Sequence, residues 1–127
     1  MLTLRVVALS LALAGCGRDP GPEQYTPLTF TADIPIEVEN RNFNDVVIYL
    51  RREGTRTRIG EVTGSMNVTL LIPRTLLSGI TREVQFQADP VGADRTITSY
   101  PVFIRPGEHV HLTIENNFRA ATIQVVQ

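Results

Sequence analysis

The chain has 127 residues, 43% of them hydrophobic and 20% charged, with a single cysteine. That length holds one domain with one core, and a lone thiol excludes an intrachain disulfide. Every basic residue is Arg, and residues 16–127 carry 11 Arg against 13 acids, a net charge of −2 with no block of one sign. Nucleic acid, which calls for a basic face, is therefore not an expected partner.

Residues 1–5 carry the amino terminus and Arg5, residues 6–14 form an apolar run interrupted only by Ser10, and Leu13-Ala14-Gly15-Cys16 follows. A charged start, a short apolar stretch and small residues before a cut are the organisation of a secretory signal. Nine residues of helix rise only about 14 Å against roughly 30 Å of hydrocarbon, too little for a permanent span.

Leu13-Ala14-Gly15-Cys16 resembles the lipobox of bacterial lipoproteins, a resemblance confined to the leader. It implies that residues 1–15 are removed as a signal peptide, that the Cys16 thiol receives a diacylglyceryl group, and that the new amino terminus is acylated. Two or more acyl chains anchor stably, at about 0.8 kcal/mol per buried methylene. The expected location is the bacterial cell envelope, with the membrane as partner through covalent lipid on Cys16. Gly17 stands where Asp favours inner-membrane retention in enterobacteria, which implies the outer membrane in a cell that has two. The competing readings are an ordinary secretory leader with an incidental cysteine and a buried apolar strand.

Residues 17–27 contain three Pro and two Gly without apolar periodicity, the composition of an extended tether. Together with the lipidated Cys16, this segment reaches up to roughly 35 Å from the lipid. The domain is expected over residues 28–127.

Within it, short alternating runs rich in Val, Ile and Thr are separated by turn signals, and no long run has helical spacing, so the fold class is all-β. Ile34, Ile36 and Val38 alternate with Pro35, Glu37 and Glu39. After a loop at 40–44, Val46, Ile48 and Leu50 share one face of a strand over 45–52, which is expected to neighbour the first. Glu53-Gly54-Thr55 reverses the chain into 56–63. Gly64-Ser65, a type II′ signal, reverses it again into 66–72, making the first half a meander. Residues 73–79 are expected to form an irregular or 3₁₀ turn.

A strand over 81–88 follows, with Val84, Phe86 and Ala88 on one face, and then the turn-rich segment 89–94. A strand over 95–105 is expected at an edge or bulge because of Pro101. After Pro106-Gly107 comes a strand over 109–115 with Val110, Leu112 and Ile114 inward, and Asn116-Asn117 leads into a last strand over 118–126. Seven to eight such one-sided strands are economically buried as an antiparallel β-sandwich. The pattern is similar to immunoglobulin-like or transthyretin-like domains, although the Trp and cysteine pair of antibody domains are absent.

Three groups are candidate sites. His109 and His111, two apart on a strand, project from one face as metal ligands can, with Glu115 a conceivable third; an ordinary wet strand face is the competing reading. Asn40, Asn42, Asn44 and Asp45 supply oxygens of the kind calcium takes, but Asn and Asp also serve a reversing loop, and the Gly and acidic spacing of calcium loops is missing. Arg51 and Arg56, with Arg52 and Arg58, flank the 53–55 turn as an anion-binding tip, against the plainer role of a solvated hairpin that discourages edge pairing. No nucleophile or phosphate-loop motif is recognisable, and no cofactor is implied. The expected function is a non-enzymatic, lipid-anchored binding or structural module facing an envelope protein. The alternatives are a small-ligand or metal-binding lipoprotein and a hydrolase with a dispersed site.

Overall fold

The computed structural model describes residue 21 and residues 26–79, 83–117 and 121–127. Cys16, the rest of the expected leader and most of the expected tether lie outside the described residues. Among those described, no helix is long and apolar enough to cross a membrane.

The strands are β1 (Ile34–Asn40), β2 (Val46–Arg52), β3 (Thr55–Val62), β4 (Asn67–Ile72), β5 (Gln85–Pro90), β6 (Ile97–Thr98), β7 (His109–Ile114) and β8 (Ala121–Val126), with one short helix, α1 (Arg74–Leu77), between β4 and β5. They form two four-stranded sheets, ordered β4-β1-β7-β8 and β3-β2-β5-β6. The protein is an all-β sandwich. Its core is built from the inward residues of both sheets: Ile34, Ile36 and Val38 on β1, Val46, Ile48 and Leu50 on β2, Phe86 and Ala88 on β5, and Val110, Leu112 and Ile114 on β7. Strict alternation with wetter residues makes each strand stable only when one face meets the opposite sheet.

The pairing departs from the meander expected of the first half. β1 and β2 are not neighbours: β1 pairs antiparallel with β4 and parallel with β7, whereas β2 pairs with β3 and β5. The period-two pattern states which side chains face the core but not which strand lies alongside, and a turn between sheets satisfies it as well as a hairpin.

Gly64-Ser65 is accordingly a crossover between sheets, not a type II′ hairpin. The left-handed residue is Ser65, at φ 57°, and Gly64 is required for another reason: a Cβ there would stand 2.0 Å from the Phe43 carbonyl oxygen. Glu53 and Gly54 do form the β2–β3 hairpin, both with positive φ as a type I′ turn demands.

Residues 73–79 contain α1 in place of an irregular turn. Pro73 precedes it with φ −56°, the Arg74 N–H donates to Asp33 Oδ1 at 2.9 Å, and Leu77 is buried against the core. The strand expected over 95–105 shrinks to β6 and an isolated bridge between Val84 and Val102. Pro101 withholds an N–H from the ladder, and the Ser99 hydroxyl accepts from the Phe86 N–H at 2.9 Å. The strand expected over 81–88 runs as β5 from Gln85 to Pro90. Residues 80–82 and 118–120, where expected strands began, lie outside the described residues.

Candidate functional site

β1 leads away from residue 28, whose backbone bridges to Gly79, and its seven residues carry the chain about 20 Å to the loop at 41–45. That loop crosses between sheets, so only some of its backbone groups find backbone partners: the Arg41 N–H donates to the Ile114 carbonyl, and the Asn42 and Asp45 carbonyls accept from the Ser65 and Val91 N–H groups. The asparagines supply the missing partners. Asn40, at the end of β1, is 1% exposed. Its amide donates to the carbonyls of Asn44 at 2.9 Å, Thr63 at 3.2 Å and Val62 at 3.4 Å, and its Oδ1 accepts from the Asn42 N–H at 3.0 Å.

Asn42, also buried, donates to the Asn116 carbonyl at 3.0 Å and accepts from the Asn44 N–H at 2.9 Å. Asn44 donates to the Val91 carbonyl at 2.9 Å, and Asp45 Oδ1 accepts from the Gly64 N–H at 2.8 Å. The four residues therefore come together, but as a clasp that ties the ends of β1 and β7 to those of β3 and β5. The Oδ1 atoms of Asn40 and Asn42, which calcium would require, accept from the loop's own N–H groups, and Asp45 Oδ1 accepts from that of Gly64.

The strand register places His109 and His111 on one wet face, with ring centroids 5.6 Å apart and planes at 61°. Glu37, opposite His111 on β1, brings Oε2 to 3.2 Å from His111 Nε2. Glu115 does not join them, because it accepts from Arg41 at 3.3 Å. Arg41 also grips Glu39 through two bonds, at 2.9 and 3.2 Å. That hydrogen bonding holds the Glu39 carboxyl below its ordinary value of 4.5, against a smaller opposing effect of desolvation. No group of three or more His, Cys, Asp or Glu is arranged to hold a metal ion among the described residues.

The hairpin arginines separate by face. Arg51 and Arg56 stand opposite each other in the β2–β3 register, whereas Arg52 lies on the other side and donates to the Leu76 and Ser78 carbonyls at 2.6 and 3.4 Å, holding α1. Arg56 lies 3.6 Å above the Tyr49 ring and pairs with Asp89, which also accepts from Gln87 at 2.9 Å. Arg58 pairs with Glu61 at 2.8 Å. Arg51 and Arg52 border a shallow depression of about 210 Å³ that also contains Glu53, Glu83 and Gln85, so its charge is mixed.

Sequence reasoning missed Tyr49 and Gln87 as companions of Arg56. Their only signal was the outward parity they share with Arg51. It also missed the exposed apolar side chains of Phe43, Met66 and Val91, each beside the asparagine clasp in chain or hydrogen-bonding terms.

No family model matches the chain, and no curated protein matches it. Among solved structures it is similar to one described as an NMR structure of the protein from Eubacterium rectale, at 10% identity and a TM-score of 0.44, over 73% of this chain and 89% of that one.

Proposed function

We propose that the chain is a lipid-anchored protein of the bacterial cell envelope, held through Cys16, whose sandwich acts as a non-enzymatic binding or structural module for an envelope protein. The observation that carries this reading is Leu13-Ala14-Gly15-Cys16 directly behind the apolar run of residues 6–14. The thiol is the nucleophile that becomes the thioether, and the small residues before it leave the backbone open to a peptidase. Gly17 favours the outer membrane in a cell with two.

Two features of the domain support the reading. The first described backbone pairing is at Leu28, where the domain is expected to begin, and the opposite end of β1 carries the exposed Phe43, Met66 and Val91. An apolar tip about 20 Å beyond the start of β1 suits contact with a partner away from the anchor.

The test is fractionation of cells producing the full chain or its Cys16→Ser variant. The unaltered chain should sediment with membranes and yield an acylated Cys16 peptide by mass spectrometry, whereas the variant should be released. Equal membrane retention of both forms overturns the anchor.

A further inference from the structure

The four sheet edges are unequally guarded. β3 carries Arg56, Arg58 and Glu61 and has a register irregularity opposite Ile48 and Tyr49, and β6 is only two residues long and is followed by Pro101. Charges, bulges, short strands and Pro are the usual devices that keep an edge from pairing with another chain. β4, Asn-Val-Thr-Leu-Leu-Ile, holds no charge, bulge or Pro within it, Pro73 standing just past its end, and β8 likewise holds no charge or Pro. β4 is six residues of β-forming sequence, and Val68 and Leu71 stand 38 and 57% exposed along it, with Met66, just before it, 56% exposed. β8, the opposite edge of the same sheet, exposes only Val126 among its large apolar side chains.

The backbone geometry of β4 specifies what fits it. The Asn40 N–H donates to the Met66 carbonyl at 3.0 Å, so the even-numbered residues of β4 turn their polar groups toward β1. By antiparallel alternation Asn67, Thr69 and Leu71 turn theirs to the outer edge, which no described strand covers. A two-fold axis through Thr69 sets Thr69 against its own counterpart and Asn67 against the counterpart of Leu71. In that one register every outward N–H and C=O of these residues meets a partner. The same register keeps the faces matched, with Val68 beside the counterpart of Leu70 and a Thr pair at the axis. An uncharged strand also brings no like charges together across the axis.

We propose that two copies of this chain join through their β4 edges, antiparallel about a two-fold axis at Thr69, to make one continuous eight-stranded sheet. The association is isologous and closes on itself, as most homodimers do. It involves neither Cys16 nor the tether, and so stands apart from the anchoring proposal.

The test uses the full chain with Cys16→Ser, in which Thr69→Cys then supplies the only thiol. Directly opposite residues of a hydrogen-bonded antiparallel pair have Cα atoms about 5.5 Å apart, inside the range a disulfide spans. Mild oxidation should convert Thr69→Cys to a covalent dimer, and Thr122→Cys, on β8, should form no covalent dimer. In sedimentation velocity the Thr69 parent should run as a dimer and Thr69→Lys as a monomer with unchanged circular dichroism, since residue 69 is exposed and its N–H faces outward. A monomeric parent, crosslinking through position 122 in place of 69, or capture of a different protein at position 69 overturns the proposal.

Discussion

The backbone at Gly64 passes so close to Phe43 that a Cβ on residue 64 would lie 2.0 Å from the Phe43 carbonyl oxygen. The obstacle is backbone, not the end of a flexible side chain, so relief requires the β3–β4 crossover to move away from the loop at 41–45. Gly64→Ala should therefore lower stability by about 1–3 kcal/mol, the usual cost of overpacking. Urea unfolding would show it as a lower midpoint with an unchanged slope. An unchanged midpoint would mean that the crossover yields without resistance.

Asn40 lies on the other side of the same junction. Asn40→Ala removes the donor to the Asn44, Val62 and Thr63 carbonyls and the acceptor for the Asn42 N–H, in a position that is 1% exposed. Each buried group left without a partner costs about 1–3 kcal/mol, so this variant should be strongly destabilised. Asn44→Ala, which gives up a bond at the exposed Val91 carbonyl, should lose less. Thermal unfolding of the two variants side by side decides between a clasp and an incidental loop.

The clasp also bears on calcium, and the His109–His111 face on zinc. With the Asn40 and Asn42 oxygens turned to backbone N–H groups and Glu115 taken by Arg41, the melting temperature in millimolar calcium or zinc should equal that of the protein in chelator. A ligand that binds only the native state must raise it, so an increase of several degrees would reinstate a metal site.

Glu39 offers a pH-dependent check. Arg41 holds its carboxyl below the ordinary value of 4.5, so between the folded and unfolded values the unfolded chain binds more protons and stability rises with pH. The contribution is present above 4.5 and is lost as pH falls through the lowered value. In a carboxyl NMR titration Glu39 should titrate below 4.5, and Arg41→Gln should bring it back toward that value. An unchanged titration in the variant would assign the shift to another cause.

The strands were legible wherever one residue type repeated at period two. Ile34, Ile36 and Val38, then Val46, Ile48 and Leu50, announced buried faces that the structure places in the core. The Glu53-Gly54 turn was legible because its left-handed dihedrals restrict the residue types that can occupy it. The candidate sites were less so. His109 and His111 do share a face, but the salt bridge from Arg41 to Glu115 spans 74 residues and has no local signature.

By itself the sequence determined the inward and outward sides of β1, β2, β5 and β7, the expectation of two layers, and the lipobox-like pattern ending at its single thiol, because each depends on residues within a few positions of one another. Only the tertiary structure decided that β1 lies between β4 and β7, that Gly64-Ser65 crosses between sheets, and that the asparagines tie the two sheets together at one end. Alternation is satisfied by any neighbour offering an apolar face, so partner choice falls to contacts between distant segments. The Asn40 amide on the Thr63 carbonyl and the Phe43 carbonyl against Gly64 are two such contacts, and both exist only once the chain has closed on itself.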